Sequence, residues 1–393
     1  MDYPLRPAAL PIAAWLVGHA RVHLAPAEIV TTFCERLLQL GVPVSRARVA
    51  QMMTNPLIGA WGVVWRRDRP IDVYTVPRTI RTTDAFLGSP FEQVMKTRQA
   101  FRRSLVALVP GEDHPVLLEL AEDGGTDYLA VPIEYGDGSV QVAAFTTDRP
   151  GGWSEDDVQI IESLRTPLAA ALEPSSMRRS MLSLLETYLG TGPARSVADG
   201  AIERGGLTTI DAAVLLTDLR GFTNLSERHS PQVVLDQLGD YFEVVVDAVR
   251  ASGGDVLKFI GDGVLSIFPA ERDGEGAACV RAVEAVARAV KQASATSVHP
   301  FVTALHVGPV VYGNIGSPDR LDFTVLGPTV NVASRLEAIA KAAGPHVCTA
   351  AAAAVLPRSA CEIIGEYELK GVAGPQKVFR VLPNARDAAL EDG

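Results

Sequence analysis

AVLLTDLRGFT (residues 213–223) and DVLKFIGDGVLSIF (residues 255–268) decide how this chain is read. In the first, an apolar run of β-favouring residues ends at Asp218 and gives way to Arg220, Gly221, Phe222 and Thr223, as a strand would that stops on an acid and hands over to a glycine turn. The backbone N–H groups of Gly221, Phe222 and Thr223 can then turn toward an anion such as a phosphate. In the second, Gly261-Asp262-Gly263 separates two strand-like runs, which predicts a tight hairpin with the Asp262 carboxylate lifted out of the sheet. If the two strands are neighbours, the two carboxylates converge. Taken singly, each acid has a plain structural explanation, because Asp-Gly is a common turn and an Asp at a strand end often caps the next turn.

A third stretch, HVGPVVYGNIGSPDRLDFTVLGPTVNVASRLEAIAKAAG (residues 306–344), changes that balance. Asn331 and Arg335 lie four apart on a helix marked by the spacing of Leu336, Ile339 and Ala340, so they share one face. An arginine opposite two metal-binding acids is what phosphoryl chemistry requires.

With these segments in place, residues 207–383 resemble the catalytic domain of class III nucleotide cyclases. DLRGFT, the long helix after it, GGDVLKFIGDG, the GNIGS, DFTVLG and TVNVASRLE block, and YELKG occur in that order. The resemblance implies an α+β fold on a βαββαβ ferredoxin-like core. It assigns Asp218 and Asp262 to two Mg²⁺ or Mn²⁺ ions, with the Leu219 backbone as a further ligand. It also implies that Arg335 stabilises charge on the α-phosphate, that Asn331 orients the ribose, and that Lys370 neutralises the terminal phosphates. The implied assembly is a homodimer with composite sites, Asp218 and Asp262 from one subunit facing Lys258, Thr324, Asn331 and Arg335 from the other.

Lys258 and Thr324 stand at the family's base-selecting positions. A lysine donating to a ring nitrogen and a threonine accepting from the exocyclic amine imply ATP, whereas guanine-selective members carry an acidic residue and a small or thiol residue there. By residue type alone, Lys258 reads as a solvated strand lysine and Thr324 as an ordinary strand residue. The expected activity is therefore that of an adenylate cyclase releasing pyrophosphate. The competing readings are a catalytically silent nucleotide-binding scaffold, which loss of any of the four key residues would favour, and a guanylate cyclase, against which Lys258 argues. Pro328 departs from the family pattern and predicts an altered helix start.

Composition bounds the remainder. A chain of 393 residues, 47% hydrophobic and 21% charged, has the make-up of two or three globular domains. A net charge of −10, with Lys and Arg dispersed, argues against nucleic-acid or anionic-membrane binding. The four cysteines (Cys34, Cys279, Cys348, Cys361) are far apart and form no CxxC pair, so neither a zinc site nor a disulfide framework is expected. No apolar run reaches about 18 residues, and MDYPLRPAALPIAAWLV lacks a clear cleavage site, so a soluble, cytoplasmic protein is expected.

In the N-terminal half, helical periodicity over residues 26–41, strand-like runs at Ile58–Trp65, Tyr128–Ile133 and Ser139–Thr146, and a Ser154/Asp157 capping pair resemble a GAF domain. The expected layout is an extension (1–24), a GAF-like α+β sensory domain (25–173), a helical linker (174–206), the cyclase domain (207–383) and a tail (384–393). The input to the GAF-like domain is an unidentified small molecule or protein. Cys34, Trp61 and Trp65 read as core residues and His114 as a solvated loop histidine. Pro174-Ser175-Ser176 is expected to break the chain. The stripe Met181, Leu184, Leu185, Tyr188 and Leu189 after it either pairs with its twin in a dimer or packs on its own domain.

Overall fold

A computed structural model describes residues 4–200, 207–271, 273–296, 298–317 and 319–382. The expected tail (384–393) and residues 201–206 of the expected linker lie outside these. The chain forms two units of mixed α and β structure, Met1–Thr187 and Tyr188–Gly393. Among the described residues no helix is long and apolar enough to cross a membrane.

Among the described residues, the first unit has six strands: β1 (Arg46–Met52), β2 (Ile58–Arg66), β3 (Asp72–Pro77), β4 (Phe101–Ser104), β5 (Asp127–Glu134) and β6 (Val140–Thr147). They form one antiparallel sheet in the order β3-β2-β1-β6-β5-β4. Its helices are α1 (Leu10–Trp15), α2 (Arg21–His23), α3 (Pro26–Gln39), α4 (Pro90–Thr97), α5 (Pro115–Glu122), α6 (Glu155–Ser163) and α7 (Arg165–Leu189). Pro26 opens α3, and the spacing of Ile29, Phe33 and Leu37 gives the helix one apolar stripe. That stripe packs with Val49, Trp61, Phe145 and Leu168 on one face of the sheet. Ile12 and Leu16 belong to the same core, so the segment expected to be an extension completes it. On the opposite face, Val94 of α4 and Leu117 and Leu120 of α5 pack on Tyr128 and Val142.

Two expectations for this unit fail. No break occurs at Pro174, which lies inside α7. A proline forfeits one helical hydrogen bond, but Leu168, Ala169, Ala171 and Leu172 before it and Ser176 after it are buried, and that packing holds the helix together. Nor is His114 a solvated loop residue. The N-terminus of α5 needs an acceptor, and His114 Nδ1 accepts from the Val116 N–H at 3.2 Å while Nε2 lies 3.0 Å from the Asp84 carbonyl. On the later part of α7 a hydroxyl edge meets its own unit: Asn55 Nδ2 donates to Ser183 Oγ and Thr187 Oγ1, both at 2.8 Å. Met177 and Met181 remain exposed.

The second unit runs α8 (Thr191–Ala198), β7 (Leu207–Leu219), α9 (Phe222–Arg228), α10 (Pro231–Ala251), β8 (Asp255–Ile260), β9 (Gly263–Pro269), α11 (Gly274–Thr296), β10 (Phe301–Ser317), β11 (Arg320–Leu326), α12 (Pro328–Ala343), β12 (His346–Thr349), α13 (Ala350–Val355), β13 (Cys361–Glu368) and β14 (Pro375–Val381). The strand order is β13-β14-β12-β10-β7-β9-β8, with β11 folded back on β10. Side chains alternate between faces along a strand, and this decides where the acid of β7 goes. Ala213, Leu215 and Leu219 face α10 and α11 in one core. Ala212, Val214 and Leu216 face Ala333, Leu336 and Ala340 of α12 in another. Asp218 is in phase with the second set.

Candidate active site

The convergence expected from the sequence is present. β7 and β9 are paired neighbours with Asp218 opposite Gly263, which puts Asp262 of the β8–β9 turn beside Asp218. Gly261 holds the turn with φ of 63°, a left-handed conformation that glycine adopts without strain. Asp218 is only 7% exposed.

Because Asp218 points to the α12 side, it also meets two residues that the sequence reading missed. Lys341 donates to Asp218 Oδ2, and its ammonium lies 2.9 Å from Glu337 Oε1, one helical turn earlier. Arg220 secures this end of α12 by donating to the Lys341 carbonyl at 3.1 Å. Burial raises the Asp218 pKa, but hydrogen bonding to Glu337, Asp262 and Lys341 outweighs it and holds the carboxyl below its ordinary value. Burial and then the adjacent Asp218 push Asp262 up to about 6 and Glu337 up to about 7. For Lys341, burial opposes the charged form, yet the two carboxylates keep its pKa above the ordinary value. Sequence offered one signal for this pair, an i,i+4 Glu–Lys spacing, but such spacings usually mark solvated surface pairs.

The cluster fits divalent cations. Asp218 Oδ1 is buried and has no hydrogen-bond partner, and a lysine ammonium already occupies the other oxygen, so the pocket favours positive charge. Among the described residues no group of three or more His, Cys, Asp or Glu side chains is placed to hold a metal alone. Two carboxylates that leave further positions to substrate oxygens are the usual manner of holding Mg²⁺. Leu219 closes β7, and Gly221, with φ of 75°, caps α9, setting the first-turn N–H groups of Phe222 and Thr223 just past Asp218.

Asn331 and Arg335 stand on α12, whose first residue is Pro328. They are not turned toward the acids of their own chain. At about 100° per residue, the Asn331/Arg335 pair lies about 120° around the helix from Glu337/Lys341 and about 150° from the stripe that faces the sheet. Asn331 is exposed and Arg335 half-buried. The β13–β14 turn comes to this face: a methyl group at Gly371 would lie 3.4 Å from Arg335 Nη2. Lys370, in the same turn, is exposed.

Lys258 of β8 and Thr324 of β11 are brought to adjoining strands. The sequence reading missed what joins them, an ion pair from Lys258 to Asp322, which shares a strand face with Thr324. Thr324 is 8% exposed. Lys258 is therefore a held side chain and not a freely solvated one.

Residues 208–382 match the family model of the adenylate and guanylate cyclase catalytic domain. The chain is similar to adenylate cyclase 1 of Rhizobium meliloti (strain 1021), with 32% identity over 182 residues, which is 44% of this chain and 27% of that protein. It is also similar to an adenylate cyclase of Anabaena cylindrica, with 29% identity over 206 residues, 49% of this chain and 40% of that protein. The chain thus spans less than half the length of these relatives. Among solved structures, the adenylyl cyclase CyaB from P. aeruginosa is 26% identical, covers 45% of this chain and 95% of its own, and has a TM-score of 0.40.

Proposed function

We propose that this chain, whose residues 208–382 match the cyclase catalytic domain, is an adenylate cyclase that works as a homodimer with composite active sites and takes its input through a GAF-like N-terminal domain. The observation that carries the proposal is the geometry of α12. Its Glu337/Lys341 side meets the acids of its own chain while Asn331 and Arg335 face away, so Arg335 can reach a substrate held at Asp218 and Asp262 only if those acids belong to a second chain. Phe259 and Ile260 on β8, Leu235 on α10 and Leu321 and Leu326 on β11 are exposed apolar side chains suited to that contact.

In the reaction the ribose 3′-oxygen attacks the α-phosphorus, the bond to the β-phosphate oxygen breaks, and pyrophosphate leaves as 3′,5′-cyclic AMP forms. Asp218, Asp262 and the Leu219 carbonyl would hold two Mg²⁺ or Mn²⁺ ions, which activate the 3′-hydroxyl and polarise the phosphates. Arg335 lends its charge to the oxygens of the α-phosphate, where negative charge grows in the transition state. Asn331 fixes the ribose. Lys370 and the N–H groups of Gly221, Phe222 and Thr223 take up phosphate oxygens. Lys258, held by Asp322, donates to the adenine ring, and Thr324 accepts from its amino group.

Mixing an Asp218→Ala chain with an Arg335→Ala chain, each inactive alone, tests the composite site. A mixed dimer holds one intact site, and with random exchange about half the dimers are mixed, so activity should return to about a quarter of wild type. No recovery despite demonstrated exchange means that each chain completes its own site. Cyclic GMP as the main product of parallel ATP and GTP assays would overturn the choice of base.

A further inference from the structure

The first unit encloses a cavity of about 460 Å³ between the α4/α5 face of its sheet and the segment after β3. Its character follows from β1, RARVAQM. Alternation puts Ala47 and Val49 into the main core and turns Arg46, Arg48, Ala50 and Met52 into the cavity. Ala50, Ala60 and Ala144 are small and leave the space open.

Three arginines, Arg46, Arg48 and Arg81, line this mostly apolar space, along with His114, Asp84 and Glu119. Arg48 has local partners. Its Nε donates to Tyr74 Oη at 2.7 Å, and its guanidinium lies 4.8 Å from the Tyr74 ring centroid and 5.1 Å from that of Phe91. The other two do not. Arg46 Nε and Arg81 Nε are both buried without a hydrogen-bond partner, and among the described residues neither guanidinium has an ion pair. Asp84 and Glu119 border the cavity but do not pair with them. Burial and then the neighbouring Arg48 and Arg66 push the Arg46 pKa down, and burial and Arg78 do the same to Arg81. A largely buried guanidinium with no counter-charge, as at Arg46, is destabilising, and a charge held at such a cost marks a place where an anion is expected.

We propose that this cavity binds a small organic anion, its carboxylate or phosphate head neutralised by Arg46 and Arg81 and its flat apolar body lying against Tyr74 and Phe91. Arginine forks match both head groups, and the volume is that of an ordinary small-molecule site.

All four tryptophans of the chain, Trp15, Trp61, Trp65 and Trp153, precede residue 188, so tryptophan fluorescence of the full chain reports unfolding of this unit alone. The probes are benzoate, phenyl phosphate, the neutral isostere benzamide, and inorganic phosphate. One or both aromatic acids should raise the fluorescence midpoint, while benzamide and inorganic phosphate should not; which acid is stronger distinguishes carboxylate from phosphate. Arg46→Met and Arg81→Met should each weaken that binding about tenfold or more. In the absence of any probe, Arg46→Met should raise the midpoint, because it removes an uncompensated buried charge. A lower midpoint in Arg46→Met, equal responses to benzoate and benzamide, or no response to either acid would overturn the proposal.

Discussion

The Lys341 ammonium rests on the Asp218 carboxylate, at the oxygen next to the one left without a partner. It acts as an internal cation for a cluster of three carboxyls, Asp218, Asp262 and Glu337. A divalent ion at Asp218 must displace or share it. Lys341→Met should therefore tighten Mn²⁺ binding several-fold, measured from the paramagnetic resonance of the free ion. It should also lower metal-free stability by only about 1 kcal/mol, because the lysine side chain is 46% exposed. Weaker Mn²⁺ binding in the variant would mean that Lys341 positions Asp218 for the metal and does not compete with it.

The Lys258–Asp322 pair changes how base selectivity has to be tested. Lys258→Glu alone would set a carboxylate against Asp322, so part of its effect would be repulsion between β8 and β11. With Asp322→Asn added to Lys258→Glu and Thr324→Cys, that repulsion is gone. ATP turnover should then fall through the lost adenine contacts, by roughly 1–3 kcal/mol per group. Steady-state kinetics with ATP and GTP read this directly; an unchanged ATP preference would place base recognition elsewhere.

How much of this was legible in sequence differs between the units for physical reasons. Asp218 and Asp262 could be placed because each ends a strand at a glycine turn, a local signal, and Asn331 and Arg335 because helical spacing is local too. Lys341, Glu337 and Asp322 were missed because their roles depend on which face of β7 meets α12 and on β11 folding back beside β8, neither of which leaves a local mark. In the first unit, β1 escaped notice because its cavity-facing positions carry Arg46 and Arg48, and charge on such a face does not look like a strand. The break at Pro174 was overstated because burial along α7 outweighs one missing hydrogen bond.

His346 gives the second unit an acid-sensitive element. Its Nδ1 lies 3.2 Å from Thr303 Oγ1 and its ring meets Phe301 edge-on, and burial, aided by the Arg220 charge, pushes its pKa down to about 4. The unfolded value is about 6.5, so unfolding takes up a proton between those limits. The neutral imidazole thus contributes stability above about pH 6.5 that is lost as pH falls toward 4. Asp262 and Glu337 titrate in the same range with the opposite sign, which makes the difference between wild type and His346→Gln the useful quantity. By calorimetry the stability advantage of wild type should shrink between about pH 7 and pH 4.5. A difference independent of pH would show that this imidazole titrates as it does in the unfolded chain.

Gly371 joins the β13–β14 turn to Arg335, and two substitutions separate what it does. Its φ of 73° is left-handed, so Gly371→Ala should cost roughly 1–2 kcal/mol of stability. Asparagine tolerates that conformation better, so Gly371→Asn should be the more stable of the two. The larger side chain, however, projects further toward the Arg335 guanidinium, which a methyl group would meet at 3.4 Å. If the turn serves to position Arg335, Gly371→Asn should lose more turnover than Gly371→Ala despite its greater stability, with Mn²⁺ binding unchanged in both because Asp218 and Asp262 are untouched. Turnover that tracks stability across the pair would instead make the turn a structural element with no hold on Arg335.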